Sequence, residues 1–300
     1  MTTTDFDVNY FGELAWVSLM KRLQASEQGC LTLKVIAQFD KCVYVAPCDQ
    51  YAETPVNSTG LICIGPGALG RGPLNVLTEP GFLKAMHKLC PDANGWVSAS
   101  EFSFGPSIRL NFDDRVQKVS PGVAPCDASA ARLLLNRHAL PELPVGLDSA
   151  LFAPIAGRSI AALSTWMMDA LIQDRVELSA EVGAAIRQLI GLGAGLTPAG
   201  DDFLAGVLLT LLCIRRDDIA ELLGAYIIEA SRLESNRISA AHLHAAAHGY
   251  CGETLARVFA ALAEADQHGL KRAIRDQIAV GHTSGRDTWC GVLFTLAQIR

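Results

Sequence analysis

Charged side chains are scarce in this sequence: they make up 19% of the residues, against 50% hydrophobic ones. That balance excludes a disordered chain, which needs the reverse proportion, and leaves material for a sizeable core. Clusters of lysine and arginine are also missing, and the formal net charge is −6. Phosphate-backbone binding depends on grouped cations, so no nucleic-acid partner is expected. No apolar run is long enough to cross a bilayer; the longest, Phe203–Ile214, suits a buried helix. The opening MTTTDFDVNYF is acidic and lacks the basic and apolar regions of a signal peptide. A cytoplasmic protein without a membrane partner is the expectation. The nine cysteines include no C-x-x-C pair, and Cys42 and Cys48 stand too far apart for a zinc knuckle. Most should be reduced, buried thiols. Cys290 lies beside an aspartate motif, but packing explains it better.

What is present centres on Gly191–Leu212, which reads GLGAGLTPAGDDFLAGVLLTLL. A glycine-rich loop meets Thr197-Pro198, then the acidic pair Asp201-Asp202, then the apolar run. Threonine before proline signals a helix start, with Thr197 as cap and Pro198 at the first helical position. Mobile backbone, helix-mouth N–H groups and two carboxylates are thereby gathered in one place.

The pattern occurs twice. Gly200–Leu211 (GDDFLAGVLLTL) and Gly285–Leu296 (GRDTWCGVLFTL) match at Gly200/Gly285, Asp202/Asp287, Gly206/Gly291, Val207/Val292, Leu208/Leu293, Thr210/Thr295 and Leu211/Leu296. Gly281-His282-Thr283-Ser284 precedes the second copy, and Ser284 with Asp287 has capping-box spacing. Each aspartate lies four residues before a glycine, so both share a helix face. Glycine inside a helix costs ~1 kcal/mol against alanine, and its recurrence implies close helix–helix approach. The expectation is two equivalent helices crossing at Gly206 and Gly291, with Asp202 and Asp287 lining one cavity at their mouths.

GLGAGLTPAGDDFLAG followed by GHTSGRDTWCG resembles the small-subunit family of the bacterial oxamate carbamoyltransferase of allantoin breakdown. Ile238-Ser239 with Leu243, Ala247 and Gly249 is similar to a middle motif of that family. The resemblance covers residues 185–300. It implies a component of a carbamoyltransferase in purine catabolism, working with other subunits on a small anionic substrate. In that reaction oxalurate is split by phosphate to oxamate and carbamoyl phosphate, or the reverse.

Such chemistry needs an anion site, polarisation of the carbamoyl oxygen and handling of an amide proton. The candidate catalytic residues are Asp202, Asp287 and His282. The candidate substrate- and phosphate-binding residues are Gly193, Gly195, Thr197, Gly200, Asp201, Thr283, Ser284, Gly285 and Arg286. No metal ligand set and no cofactor are assigned, although Mg²⁺ would relieve the repulsion between these carboxylates and a phosphate. His244 and His248 share a helix face, but no acid intervenes in the H-E-x-x-H manner, and three alanines between them point to packing. Two alternatives stand. One is a non-catalytic assembly subunit. The other is a metal-dependent hydrolase, since Gly285-Arg286-Asp287-Thr288 weakly resembles a motif of ADP-ribosylglycohydrolase-type enzymes.

The fold class expected is α+β: a β-rich barrel- or sandwich-like domain over residues 1–125, then an all-helical domain over residues 126–300. Strands are expected at Cys30–Ile36, Cys42–Ala46, Gly60–Gly65, Leu74–Leu77, Trp96–Ala99 and Ser107–Phe112, and helices at Leu14–Leu23 and Phe82–Leu89. Gly65–Pro73 (GPGALGRGP) has the glycines and, in Arg71, the cation of an anion-binding loop, but it matches neither a Walker loop nor a dinucleotide fingerprint, and a surface loop is the favoured reading. Ser120–Pro125 reads as a linker. Helical spacing recurs from Asp127 onward, beginning with Ala128–Asn136.

Overall fold

The structure, a computed structural model, describes residues 3–48, 60–88, 94–129, 131, 144–172 and 176–299. The chain forms two compact units, Met1–Pro121 and Gly122–Arg300.

The first unit is a closed eight-stranded barrel. Its strands are β1 (Thr4–Phe11), β2 (Leu31–Gln38), β3 (Val43–Pro47), β4 (Ile62–Pro66), β5 (Asn75–Thr78), β6 (Gly95–Val97), β7 (Glu101–Phe104) and β8 (Ile108–Asn111). They neighbour one another in the order β1-β5-β4-β3-β2-β6-β7-β8, and β8 closes on β1 in parallel through Thr4–Asp7 against Ile108–Asn111. Closure leaves no edge strand to be shielded. Alternate side chains point inward, as the pleat requires: Phe6, Val8 and Tyr10 are buried on β1. Helices α1 (Glu13–Ala25) and α2 (Gly81–Met86) add Ala15, Leu19, Leu23, Phe82 and Met86 to the same core. Phe11, Phe102 and Phe112 form an aromatic cluster with ring centroids 5.4–5.9 Å apart.

Six of these strands lie where the sequence places them. Strands β1 and β7 fall outside that set. Both alternate polar and apolar residues, but the polar positions are Asp5, Asp7, Asn9, Glu101 and Ser103, types mostly depleted in strands, which masks the pattern. The glycine-rich segment Gly65–Pro73 turns through a short 3-10 helix at Gly67–Leu69. Tyr10 Oη donates to Gly72 O at 3.1 Å and Asn75 Nδ2 to Gly70 O at 2.9 Å, which fastens the loop to its own barrel.

The second unit is helical. Its helices are α3 (Ala153–Ala170), α4 (Ala180–Leu189), α5 (Ala199–Cys213), α6 (Asp217–Glu234), α7 (Arg237–Ala247), α8 (Glu253–Ala263), α9 (Gln267–Ile278) and α10 (Ser284–Ala297). An N-terminal barrel followed by helices is the α+β arrangement expected. The helix expected at Ala128–Asn136 lies largely outside the described residues. Ser179 caps α4 by accepting from Val182 N, and Asn236 caps α7 by accepting from Ile238 N and Ser239 N. Residues 122–126 are bound into this unit, with Val123 N donating to Gly249 O at 3.1 Å and Cys126 N to Cys213 O at 2.8 Å. They are therefore not the free linker that SPGVAP suggests.

Helices α5 and α10 are buried almost all round and, among the described residues, make the most extensive helix–helix contact. A helix that is apolar on every face must lie inside the protein, and these two form the centre of the unit.

Candidate functional site

Glycine sets how closely α5 and α10 meet. A Cβ at Gly206 would collide with the Thr288 carbonyl and sit 3.1 Å from Val292 N. A Cβ at Gly291 would collide with the Phe203 carbonyl and sit 3.0 Å from Val207 N. Phe203 and Thr288, and Val207 and Val292, are themselves matched positions of the repeat, so the two helices relate by a local two-fold. The hydroxyls follow the same symmetry: Thr210 Oγ1 donates to Gly206 O at 2.7 Å and Thr295 Oγ1 to Gly291 O at 3.0 Å. At the mouths, Gly200 N donates to Leu192 O at 2.9 Å and Gly285 N to Val280 O at 3.0 Å.

The caps differ from those the sequence suggests. Pro198 holds the N-cap position of α5, with Thr197 one residue outside, and Thr283 holds that of α10, with Ser284 at the first helical position. Neither cap residue bonds its own helix through a side chain. The hydroxyls of Ser284 and Thr197 instead lie toward the Asp202 carboxyl and that of Thr283 toward Asp287, where they work against the effect of burial on those carboxyls. The capping box between Ser284 and Asp287 does not form.

Both aspartates are buried, Asp287 completely. Gly146 N donates to Asp287 Oδ1 at 3.0 Å, from a short 3-10 turn, Val145–Leu147, that touches both α5 and α10. The second oxygen of each, Asp202 Oδ2 and Asp287 Oδ2, is buried without a hydrogen-bond partner. Burial pushes the Asp202 carboxyl well above the usual carboxylate range. The Ser284 hydroxyl opposes that shift, and the charges of Asp287 and Asp201 add to it. Burial also raises Asp287, against the N–H of Gly146 and the Thr283 hydroxyl. Desolvation favours the neutral acid, and so does a like charge nearby.

Asp201 is engaged differently. Its Oδ1 accepts from Gly191 N at 2.8 Å, and its Oδ2 accepts from Ser239 Oγ at 2.6 Å and from the Ser235 hydroxyl. These bonds oppose the upward pull of burial on its carboxyl. Asp201 so ties the start of the glycine loop to α7, which gives the Ile238-Ser239 motif a structural role. The matched position in the second copy is Arg286, which is exposed.

The loops above the aspartates are open. Gly191, Gly193 and Gly195 take φ of 73°, 117° and 97°, and Gly281 takes 63°. Those values suit glycine alone, and at Gly193 a Cβ would also lie 2.7 Å from Ala199 N. Gly195, Leu196, Gly281, His282 and Arg286 are exposed, and Thr197, Thr283 and Ser284 are half-buried. The arrangement brings Thr197, Asp202, Thr283, Ser284 and Asp287 together, with the amides of Gly200 and Gly285 already bonded within the fold. A cavity of about 570 Å³ lies elsewhere, between α4 and α6, lined by Ser179, Gly183, Arg187, Leu222 and Tyr226 among others.

Gly146, Ser235 and Gln277 carry no motif that sequence reading could single out. Gln277 is buried at the end of α9, accepts from Thr254 Oγ1 at 2.7 Å and donates to Gly285 O at 3.2 Å. His244 and His248 stack with ring centroids 4.4 Å apart. Among the described residues, no three His, Cys, Asp or Glu side chains converge as a metal site.

Comparison with curated proteins gives no match, and neither does comparison with solved structures. Residues 189–296, from the last turn of α4 almost to the end of α10, match the family described as oxamate carbamoyltransferase subunit AllH, the family that both glycine–aspartate motifs resemble.

Proposed function

We propose that this chain is a subunit of a carbamoyltransferase that acts on oxamate or oxalurate and carbamoyl phosphate in allantoin catabolism. On this reading the junction of α5 and α10 is its contribution to the active site. The observation that carries the proposal is the pair of buried, unpartnered oxygens, Asp202 Oδ2 and Asp287 Oδ2. A buried acceptor without a donor costs ~1–3 kcal/mol. Two of them at the crossing of a duplicated frame fit a ligand that brings the donors.

A carbamoyl or oxamate –NH₂ has two N–H groups to offer. The amide end of the substrate then enters between the aspartates. Its phosphate or carboxylate end stays outward, near Arg286, His282 and the loop at Gly193–Leu196. This orientation separates the anion from the carboxylates that would repel it. In the transfer, the oxamate nitrogen attacks the carbamoyl carbon, the bond from that carbon to the phosphate oxygen breaks, and the nitrogen gives up a proton. A carboxylate whose affinity for protons is raised by burial is a suitable acceptor. Asp201 holds the loop in place. Mg²⁺ brought in with the phosphate is a second way to satisfy the same oxygens, and activity measured with and without a chelator separates the two.

The committed amides of Gly200 and Gly285, and the depth of Asp287, favour a second reading: a non-catalytic assembly subunit. The deciding experiment purifies the chain with its companion subunits and measures carbamoyl phosphate formed from oxalurate and phosphate. Asp202→Asn and Asp287→Asn should each abolish the reaction while the complex still assembles. Full turnover in both variants would leave only the assembly role.

A further inference from the structure

We infer that Cys126 and Cys213 form a thiol pair that hydroperoxides convert to a disulfide, a modification site separate from the α5–α10 junction. Cys126 Sγ and Cys213 Sγ lie 2.9 Å apart. Their backbones are joined as well, since Cys126 N donates to Cys213 O at 2.8 Å. Cys213 Sγ also lies 3.3 Å from Ala124 O. Two sulfurs already in contact on paired backbones need to close only to about 2.05 Å to be bonded.

The two thiols are unequal in a way that suits sequential oxidation. Cys126 is half-buried at the surface segment 122–127, whereas Cys213 is buried in the last turn of α5. The hydrogen bond from Cys213 lowers the Cys126 thiol pKa, and the Cys213 thiol is raised correspondingly. The thiolate is the reactive form, so Cys126 is the sulfur that meets the oxidant. Its sulfur attacks a peroxide oxygen and the O–O bond breaks, giving the sulfenic acid and one water. Cys213 sulfur then attacks that sulfur, and its proton leaves with the hydroxide as a second water. Two thiols and one hydrogen peroxide thus give one disulfide and two waters. The bond would pin residues 122–126 to the C-terminal end of the helix whose first turn carries Asp202.

The barrel supplies an internal comparison. Cys42 and Cys63 are likewise hydrogen-bonded thiols, but both are buried. Contact without access should leave them reduced.

The experiment treats the full-length native protein with one equivalent of hydrogen peroxide. Remaining thiols are alkylated, and the chain is digested without reductant and mapped by mass spectrometry. The expected product is a peptide from around residue 126 joined to one containing residue 213. It should be absent after treatment with dithiothreitol and in Cys126→Ser. The oxidised protein should also melt roughly 5–10 °C higher than the reduced one, because the bond closes a long loop. Recovery of both cysteines as alkylated thiols would overturn the inference. So would Cys126 found only as sulfinic or sulfonic acid, or a Cys42–Cys63 disulfide formed while the Cys126–Cys213 pair stays reduced. Cys126→Ser changes a half-buried side chain at the surface, so its folding is checked by an unaltered melting temperature under reducing conditions.

Discussion

Asp202 and Asp287 carry protonation states that stability measurements can read. Burial raises the carboxyl of each above its ordinary value of 3.8. With a raised folded pKa, the native state binds protons more tightly than the unfolded chain, so stability falls as pH rises. The contribution is complete below about pH 4 and declines through the raised folded value, which for Asp202 lies furthest up. Asparagine has no proton to lose. Asp202→Asn is therefore expected to match the native protein in melting temperature at pH 4 and to exceed it as pH rises through the raised folded value. A thermal-shift series across that range checks it; a variant that is equally stable at every pH would mean the side chain only fills space. Asp201, with three donors, behaves differently. Asp201→Asn loses acceptor capacity toward Ser235 and Ser239 and should cost about 1–3 kcal/mol at neutral pH.

Among the elements, α5 and α10 stand or fall on their glycines. Alanine has the better helix propensity by ~1 kcal/mol, so Gly→Ala in an open helix should stabilise. Gly157 in α3 is such a place, with nothing within 4 Å of a new Cβ. Gly206 and Gly291 face backbone carbonyls that cannot move without unwinding a helix. Overpacking of that kind costs about 1–3 kcal/mol or more and outweighs the propensity gain. Gly157→Ala is expected to raise the melting temperature slightly, and Gly206→Ala or Gly291→Ala to lower it by roughly 5 °C or more. Equal shifts of one sign in all three would contradict a close crossing.

The crossing was legible in the sequence because it is written twice, in matched Asp–Gly spacings. The Val145–Leu147 turn was not. Its contribution is one backbone N–H delivered from a distant part of the chain, and a backbone group leaves no mark in residue type. The same holds for the caps. Thr197 and Ser284 have the chemistry of N-caps, and only the packed structure reveals that Pro198 and Thr283 hold the cap positions.

For the whole molecule, barrel and helical unit each have a separate core. Residues 1–121 and 122–300, expressed apart, are each expected to fold cooperatively, as circular dichroism melts would register. The barrel should melt as β structure and the second unit as helix. A second unit that stays unfolded unless the barrel is added would refute their independence. Among the described residues no helix is long and apolar enough to cross a membrane. The strand content was legible in outline, since short apolar runs separated by glycine and proline imply a small β unit. The choice between barrel and sandwich was not legible, because the parallel pairing of β1 with β8 that closes the barrel joins residues too far apart for any local pattern to encode.

One consequence of the unequal pair Asp201 and Arg286 concerns direction. A frame with matching halves would admit a molecule either way round. Here one half spends its variable position on an inward carboxylate that holds a loop, and the other presents a guanidinium to solvent. On the proposed function the site therefore has a sense, with a cation at its entrance and carboxylates at its floor. A guest with an amide head and an anionic tail fits it one way only, whereas a symmetric diamide has no tail for the entrance to grip. Arg286→Asp, at an exposed position, would erase that sense and leave the floor intact. In the assembled enzyme, the preference for oxamate over its neutral diamide, measured by competition, should fall roughly tenfold or more. An unchanged preference would show that the polarity is set by another subunit.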